Sequence, residues 1–397
     1  MTQQQELREI HAWHKSIVLF FAVFGVSGSS VMVRLPLIKE LLGVTPSLLG
    51  IIFLVGSIGS IGSLNISGRL IERIGTRPAI IFGPLLLSVS SIGQMTCAVN
   101  HLWVGYMLTG FFIGCAYGLS DVAINLDGTV LERKLGRSLM PRMHAAYSIG
   151  TFVGAGIGTL ATYFDISILL QVSLLATLQL VLVVSTQRHL PHGTGIAAHH
   201  EHGTKVARHD WMTPTIVMMG VALLTISLGE GSANDWLAIG VVTDYHASAT
   251  NAGITFSFFN ASMTITRFFG GNLADRFGKG PTLRALALAG AVGILVTSLG
   301  APHVWISWIG AALWGAGVAL GFPLLLSAAG EADHAAKRVA FVAFWGYGAF
   351  ISGPPMLGFL GQHWGMLHMF YVVAGFLAIA AFFAGSAGNR KGATTAH

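Results

Sequence analysis

Five ionisable side chains stand inside long apolar stretches of this 397-residue sequence. They are Arg34, Asp121, Glu230, Asp235 and Arg267. An ionisable residue at the centre of a membrane-spanning helix costs about 2.5 kcal/mol or more on insertion scales, so each one calls for a partner or a task. These five residues are therefore the first candidates for chemistry.

Asp121 has polar neighbours at helical spacing. Tyr117, Asp121 and Asn125 follow one another at intervals of four residues, which places them on one helix face. Their surroundings are Leu, Val, Ala and Ile, so the polar face predicts a cavity rather than lipid. Burial disfavours the charged form of a carboxylate, so Asp121 could take up and release a proton. The alternative interpretation is a structural hydrogen bond to a neighbouring helix.

Glu230 and Asn234 repeat the carboxylate-plus-amide spacing of four residues. Glycines on both sides of Glu230 weaken a helix, and broken helices at membrane depth are tolerated where they line a cavity. We expect Glu230 and Asn234 to contact solute or protons, about 26 Å along their span and towards its outer side. Asp235 lies further out, either as a gating residue or in the membrane interface.

The composition predicts the elements that must position these residues. The chain is 53% hydrophobic and 10% charged, with a mean hydropathy of +0.69, whereas soluble domains carry about 25% charged residues. Many apolar runs reach the about 20 residues that cross a bilayer as a helix. We predict an all-α membrane protein of twelve transmembrane helices. The predicted spans are 16–36, 46–67, 78–98, 102–126, 141–164, 168–187, 213–238, 248–270, 281–300, 303–328, 339–361 and 366–386.

The net charge of +6 follows the predicted topology. All Lys and Arg residues except Arg34, Lys39 and Arg267 fall on tails or alternate connections, which is the positive-inside pattern. We therefore expect a multi-pass protein of the cell (inner) membrane with both termini in the cytosol, and no nucleic-acid partner. Its partners would be the lipid bilayer, a small-molecule solute and protons, and we expect a monomer.

A charged loop occurs twice, 203 residues apart, between predicted spans 2 and 3 and between spans 8 and 9. The repeat predicts two pseudo-symmetric six-helix bundles, 1–187 and 213–397, joined by a cytoplasmic linker, 188–212. We assign the loop residues to gating and conformational change. They are Gly68, Glu72, Arg73, Gly75 and Arg77 in the first copy, and Gly271, Asp275, Arg276 and Gly278 in the second.

Two arginines lie within or beside the spans. The repeat offset places the counterpart of Arg34 next to Asp235, so we predict that Arg34 pairs with an acid of span 7 as an outer gate. The alternative is an arginine that snorkels to the outer head groups. Arg267 precedes the second charged loop, and we expect it to bond to Asp275 or to a helix end.

Three aromatic residues open two spans that correspond in the repeat. Tyr147 begins span 5, and Trp345 and Tyr347 begin span 11. Amphipathic rings suit either a cavity wall that stacks on a sugar-like ring or an interfacial belt. We count them among the candidate substrate residues.

The linker is rich in histidine, which could indicate metal binding. A metal site needs converging ligands on a rigid frame, so we expect a solvated linker, with no metal and no cofactor. The sequence also contains no phosphate-binding G-x-x-x-x-G-K-[ST] loop and no nucleophile–base constellation, and we expect no enzymatic activity.

Twelve spans with Gly-x-x-x-acid-Arg-x-Gly at both matching loops resemble the major facilitator superfamily. Span 4 carries Gly118-Leu119-Ser120-Asp121-Val122-Ala123-Ile124-Asn125, which is similar to the Gly-x-x-acid-x-Ala-x-Asn pattern of the fucose permease-like branch. Tyr147-Ser148-Ile149-Gly150 resembles the start of span 5 in that branch. The resemblance implies that Asp121 lies in a central cavity and handles protons and sugar. The branch's acid in span 1 would align near Met32, where this sequence has no carboxylate.

The resemblance implies a secondary active transporter for a small polar, sugar-like solute. We expect proton-coupled symport by alternating access. Two alternatives remain open: a proton-driven exporter of drugs or amphipathic metabolites, and a receptor of the same fold that binds a solute without transport. The drug exporters usually carry an arginine early in span 4, and this chain has none there.

Overall fold

The described residues of the computed structural model, 3–136, 139–196, 211–331 and 334–388, form helices joined by short turns, with no strand among them. The chain divides into two units, Met1–His202 and Gly203–His397. This boundary falls inside the predicted linker.

The N-terminal unit consists of seven α-helices. They are α1 Gln3–Met32, α2 Leu35–Leu42, α3 Pro46–Ile74, α4 Thr76–Val99, α5 Trp103–Leu135, α6 Met140–Tyr163 and α7 Ile168–Thr186. The short α2 ends at Gly43, whose left-handed backbone closes its last turn. Thr45 then caps α3 by accepting a hydrogen bond from the Leu48 amide, with Pro46 in the first helical position.

The C-terminal unit contains eight α-helices, two pairs of which continue each other across a break. They are α8 Pro214–Ser232, α9 Ala238–Thr243, α10 Ala249–Phe277, α11 Lys279–Leu299, α12 Val304–Val318, α13 Gly321–Gly330, α14 Ala335–Trp364 and α15 Met366–Phe383. A π-helical segment, Ala233–Leu237, joins α8 to α9. The helical run from α8 therefore reaches Thr243, five residues beyond the predicted end of span 7.

The internal repeat is visible in the helix boundaries. Helices α3 and α10 each have 29 residues, and the offset of 203 separates both their starts, 46 and 249, and their ends, 74 and 277. Gly75 and Gly278 join each helix to the next with φ angles of 81° and 88°, which favour glycine. A Cβ on Gly68 or Gly271 would meet no described atom within 4 Å, so close helix packing does not require glycine at either position.

Glycines bring α1 and α6 into backbone contact. A Cβ at Gly150 would collide with the carbonyl of Ala22, and one at Gly154 would collide with the backbone of Val26. By contrast, Gly156 faces open space. Small residues at regular spacing let membrane helices pack closely, and here they fix α6 against α1.

Nine helices within the described residues are long and apolar enough to cross a membrane. Helices α6, α10 and α14 are outside these nine, although they have 24, 29 and 30 residues. Their length suffices for a span at 1.5 Å per residue. Polar and small residues lower their hydropathy, as expected for helices that face other protein or water more than lipid.

The beginning of the linker differs from the solvated segment that we expected. Residues 190–196, here called the clasp, pack onto the turn between α3 and α4. The Thr194 carbonyl accepts a 2.8 Å hydrogen bond from the Thr76 amide, and Leu190 is buried in the core of the unit. A Cβ at Gly195 would meet the side chains of Ile71 and Leu126.

Candidate functional site

Asp121 lies near the middle of the 33-residue helix α5. Asn125 donates from Nδ2 to Asp121 Oδ1 at 2.9 Å and to the Asp121 carbonyl at 2.8 Å. The carboxylate is exposed, while Leu119 and Ala123 on the opposite side of the helix are buried. The structure thus forms the predicted carboxylate–amide pair and leaves the second carboxylate oxygen open for another donor.

Tyr117 lies one turn before Asp121 and faces α1. Its hydroxyl is 3.5 Å from the Phe24 carbonyl, and the two rings are 5.6 Å apart between centroids. Tyr147, on α6, is exposed, and its backbone lies against α1, where a Cβ on Gly25 would collide with the Tyr147 carbonyl. Tyr117 and Tyr147 therefore both lie against α1, while Asp121 and Asn125 bond to each other on α5.

Glu230 forms an ion pair with Arg267 of α10. Arg267 donates from Nη2 to Glu230 Oε1 at 2.9 Å and from Nε to the Ala319 carbonyl at 3.2 Å. Arg267 therefore bonds to a helix end, as one alternative predicted, but its acid is Glu230 and not Asp275. The predicted depth of Glu230 is also corrected, since it stands near the middle of the helical run from Pro214 to Thr243.

Asn234 and Asp235 lie in the π-helical segment, and both side chains are half-buried. No bond between Glu230 and Asn234 is found among the described residues, and Asn234 lies in the wider π turn that follows α8. π segments within α-helices occur frequently at functional sites. Asn234 and Asp235 remain predicted site residues on this basis.

Arg34 is buried at the junction of α1 and α2. It donates from Nη1 to Gln171 Oε1 and from Nη2 to the Ile166 carbonyl, both at 3.0 Å. Gln171 in turn donates to the Ser30 carbonyl. These bonds tie α1 to the start of α7 within the N-terminal unit, so Arg34 anchors these two helices to each other. The outer gate between Arg34 and an acid of span 7 stays a prediction.

The aromatic candidates of α14 divide between packing and exposure. The Trp345 indole fills the space beside Gly220 of α8, where a Cβ would come within 2.6 Å of the ring. Tyr347 is 36% exposed and lies 6.2 Å from the Phe322 ring. Trp345 is thus placed as a packing residue, whereas Tyr347 is accessible.

The gating candidates lie at the ends of α3 and α10. In the first copy, Arg77 contacts His192 of the clasp, Glu72 is half-buried and Arg73 is exposed. In the second copy, Asp275 and Arg276 are exposed, and the Arg276 guanidinium lies 5.2 Å from the Phe277 ring centre. The two loops share their backbone course and differ in what covers them.

Asp127 is a buried acid that the sequence interpretation missed. Its side chain is fully buried, and the Trp13 indole donates to Oδ2 at 2.7 Å. Thr76, at the start of α4, lies beside the same carboxylate. Predicted span 4 ended at residue 126, which assigned Asp127 to a loop. Trp13 preceded predicted span 1, but in the structure it belongs to α1, so the sequence pattern did not indicate that Trp13 and Asp127 meet.

The described histidines of the linker lie outside any metal-binding cluster. Among the described residues, no group of three or more His, Cys, Asp or Glu side chains could hold a metal ion. His192 contacts Arg77, while His199, His200, His202 and His209 lie outside the described residues. The two cysteines, Cys97 and Cys115, are not joined to each other.

Comparison with known proteins matches residues 4–159 and 215–394 to the model of the Major Facilitator Superfamily. An uncharacterized MFS-type transporter of Yersinia pestis is 26% identical over 356 residues, which cover 87% of this chain and 88% of the relative.

Two solved structures resemble the chain in fold. A variant of the nucleoside transporter NupG has a TM-score of 0.76 at 12% identity and covers 95% of this chain and 99% of its own. A variant of the Escherichia coli fucose:proton symporter FucP has a TM-score of 0.61 at 16% identity, with coverages of 95% and 98%. At these identities the likeness concerns the fold alone.

Proposed function

Since the chain belongs to the Major Facilitator Superfamily and is a multi-pass membrane transporter, we propose that it accumulates a small polar, sugar-like solute by proton symport. Twelve spans in two six-helix bundles would alternate access to a solute bound near the midplane. The protein would work as a monomer in the inner membrane with both termini in the cytosol.

The observation that carries this proposal is the carboxylate of Asp121. It is exposed at the middle of a helix otherwise long and apolar enough to span the membrane. A charged group that faced hydrocarbon there would be strongly disfavoured, so its accessible side must meet water, solute or protein. One oxygen is held by Asn125, which leaves the other to exchange a proton or to accept a solute hydroxyl.

The proposed role of each side chain follows from its hydrogen-bonding groups. The protonated Asp121 donates to a solute hydroxyl, and the ionised form accepts from one, so loading of the proton and of the solute influence each other. Asn125 keeps the carboxylate oriented in both states. Tyr117 and Tyr147 offer ring faces and hydroxyls for a sugar-like solute, as amphipathic aromatics do at ligand sites.

The charged loops would control the conformational change and not the selection of the solute. Arg77, Arg276 and the neighbouring acids lie at helix ends, outside the apolar lengths of α3 and α10. Gly75 and Gly278 adopt positive φ angles at the turns that these loops contain, so each turn is a defined joint between two long helices.

Transport by purified protein tests the proposal. A solute panel is first screened for thermal stabilisation, because a ligand that binds only the folded state raises its stability. The stabilising solutes are then offered to proteoliposomes with an acidic exterior. We expect accumulation that disappears when a protonophore collapses the pH gradient. Accumulation unaffected by the protonophore would refute proton coupling, and binding without flux would favour a receptor.

A further inference from the structure

A partly exposed ion pair stands in the middle of the C-terminal unit. Glu230 and Arg267 are joined at 2.9 Å, yet 17% and 26% of their side-chain surfaces remain accessible. Arg267 lies ten residues before the end of α10, about 15 Å along the helix axis, which is half the thickness of a bilayer core. The pair is therefore at membrane depth and still reachable.

Each partner keeps unused bonding capacity. Arg267 uses Nη2 for Glu230 and Nε for the Ala319 carbonyl, and within the described residues its Nη1 makes no hydrogen bond. Glu230 uses Oε1 for Arg267, and within the described residues its Oε2 makes no hydrogen bond. A guanidinium presents its two terminal nitrogens as a fork that matches a carboxylate. The open Nη1 beside Nη2 is half of such a fork.

Two interrupted helices meet at this ion pair. Glu230 comes three residues before the π-helical segment, and the carbonyl that Arg267 bonds belongs to Ala319, at the break between α12 and α13. The buried Trp314 indole donates to the Gly229 carbonyl at 3.0 Å and fixes the helix next to Glu230. Discontinuous helices near the midplane are where transporters commonly build solute sites.

We propose that Arg267 recognises a carboxylate of the transported solute and that Glu230 is its resident counter-ion. The inference deepens the proposed function and rests on it, since it narrows the sugar-like solute to one that carries an acid group. The arriving carboxylate replaces Glu230 on the Nη1 and Nη2 atoms. The bond from Nε to Ala319 holds the guanidinium in place during the exchange.

The exchange keeps Arg267 paired throughout. Before binding, its charge is balanced by Glu230, and afterwards it is balanced by the solute. Losing a charge partner at low dielectric is costly, so a site that always offers one can open without stranding the arginine. Glu230 then turns its carboxylate towards the accessible side, where Asn234 and Asp235 are its nearest polar neighbours along the chain.

Thermal-shift titration of the full-length protein in nanodiscs tests this proposal. The probes are acetate, lactate, gluconate and glucuronate, each beside a neutral counterpart of similar size. We expect at least one carboxylate to raise the unfolding midpoint and its neutral counterpart to act more weakly. Glu230→Gln removes the internal competitor, so it should lower the half-saturating concentration of that carboxylate about tenfold, the scale of one charge-assisted hydrogen bond. Arg267→Gln should abolish the response.

The ion pair of Lys279 and Glu331 supplies the matched control, because it joins helix ends of the same unit. Glu331→Gln should leave carboxylate binding unchanged. Arg267→Lys keeps the positive charge but lacks the two parallel N–H donors of a guanidinium. It should weaken carboxylate binding at least fivefold, and it replaces Arg267→Gln as the test if that variant does not fold. The proposal is overturned if no carboxylate acts, if Arg267 variants bind normally, or if Glu230→Gln loses the response. Carboxylate binding that depends on Arg267 without flux would refute the transport proposal alone.

Discussion

The contacts of single acids show which of them serve structure and which remain available. Asp127 is enclosed and bonded to Trp13, whereas Asp121, six residues earlier on the same helix, is exposed. Six residues turn a helix by about 600°, so the two side chains stand about 120° apart around the helix axis. Helix α5 therefore has one acid that holds α1 and another that is exposed, for which we propose contact with a solute or proton.

The bond from Trp13 to Asp127 predicts a loss of stability in Trp13→Phe. The substitution keeps an aromatic ring and leaves a buried carboxylate oxygen without its donor, which costs about 1–3 kcal/mol. The thermal midpoint of purified protein should fall accordingly. Trp305→Phe alters an exposed tryptophan and should leave the midpoint unchanged. Equal midpoints for the two variants would contradict the assignment of Asp127 as a structural acid.

Local spacing predicted that Asp121 and Asn125 share a helix face and could not predict the partner of Glu230. The first pair depends only on helix geometry, because residues four apart are neighbours wherever the helix lies. Arg267 is 37 positions from Glu230, and their meeting depends on how two helices are rotated against each other. The π segment also changed the register that the sequence pattern assumed.

At the scale of elements, glycines select which helices touch. The contact of α1 with α6 predicts that Gly154→Val will prevent folding or lower stability severely, since a side chain would enter the backbone of Val26 and overpacking costs about 1–3 kcal/mol or more. Gly156→Val is the control, because that position opens onto free space. Size-exclusion profiles and thermal midpoints compare them. Normal behaviour of Gly154→Val would disprove the close approach.

The clasp is an element that the linker composition concealed. Its histidines and glycines are typical of a solvated segment, but Leu190, Thr194 and Gly195 hold it on the turn between α3 and α4. We expect Gly195→Val to detach it, because the side chain would meet Ile71 and Leu126. Limited proteolysis after residue 188 should become faster.

Gly193→Val separates the steric effect from backbone strain. Gly193 and Gly195 both have positive φ angles, 78° and 82°, but a Cβ at Gly193 would meet no described atom within 4 Å. Proteolysis should therefore accelerate more in Gly195→Val than in Gly193→Val. Equal rates would mean that strain, and not contact with α3 and α5, determines the behaviour of this segment.

At the scale of the molecule, the positive-inside pattern predicts which side each loop faces. In a variant without Cys97 and Cys115, single cysteines at Lys134 or Glu331 should react with an impermeant maleimide only after cells are opened. Cysteines at Asn100 or His303 should react in intact cells. All four positions are exposed. The opposite labelling would invert the proposed topology.

The all-helical fold was predictable because it follows from hydropathy, and the structure agrees with it. The offset of 203 between α3 and α10 equals that of the repeated charged loop, so the repeat is visible in both sequence and structure. Helix breaks were less accessible to sequence reasoning, since the change from α to π geometry at Ala233–Leu237 depends on packing as well as on the preceding glycines. Long-range side-chain contacts, such as those of Glu230 with Arg267 and of Asp127 with Trp13, could not be predicted from the sequence.

The central claim is that Asp121 couples proton movement to solute movement. The most direct test compares accumulation and exchange in proteoliposomes containing Asp121→Asn. Accumulation needs the proton, whereas exchange of labelled for unlabelled solute does not. Glu40→Gln, an exposed acid on α2, should preserve both activities. We predict that Asp121→Asn loses at least nine-tenths of gradient-driven accumulation, about tenfold, and retains exchange. Accumulation at the level of the unsubstituted protein would contradict the claim.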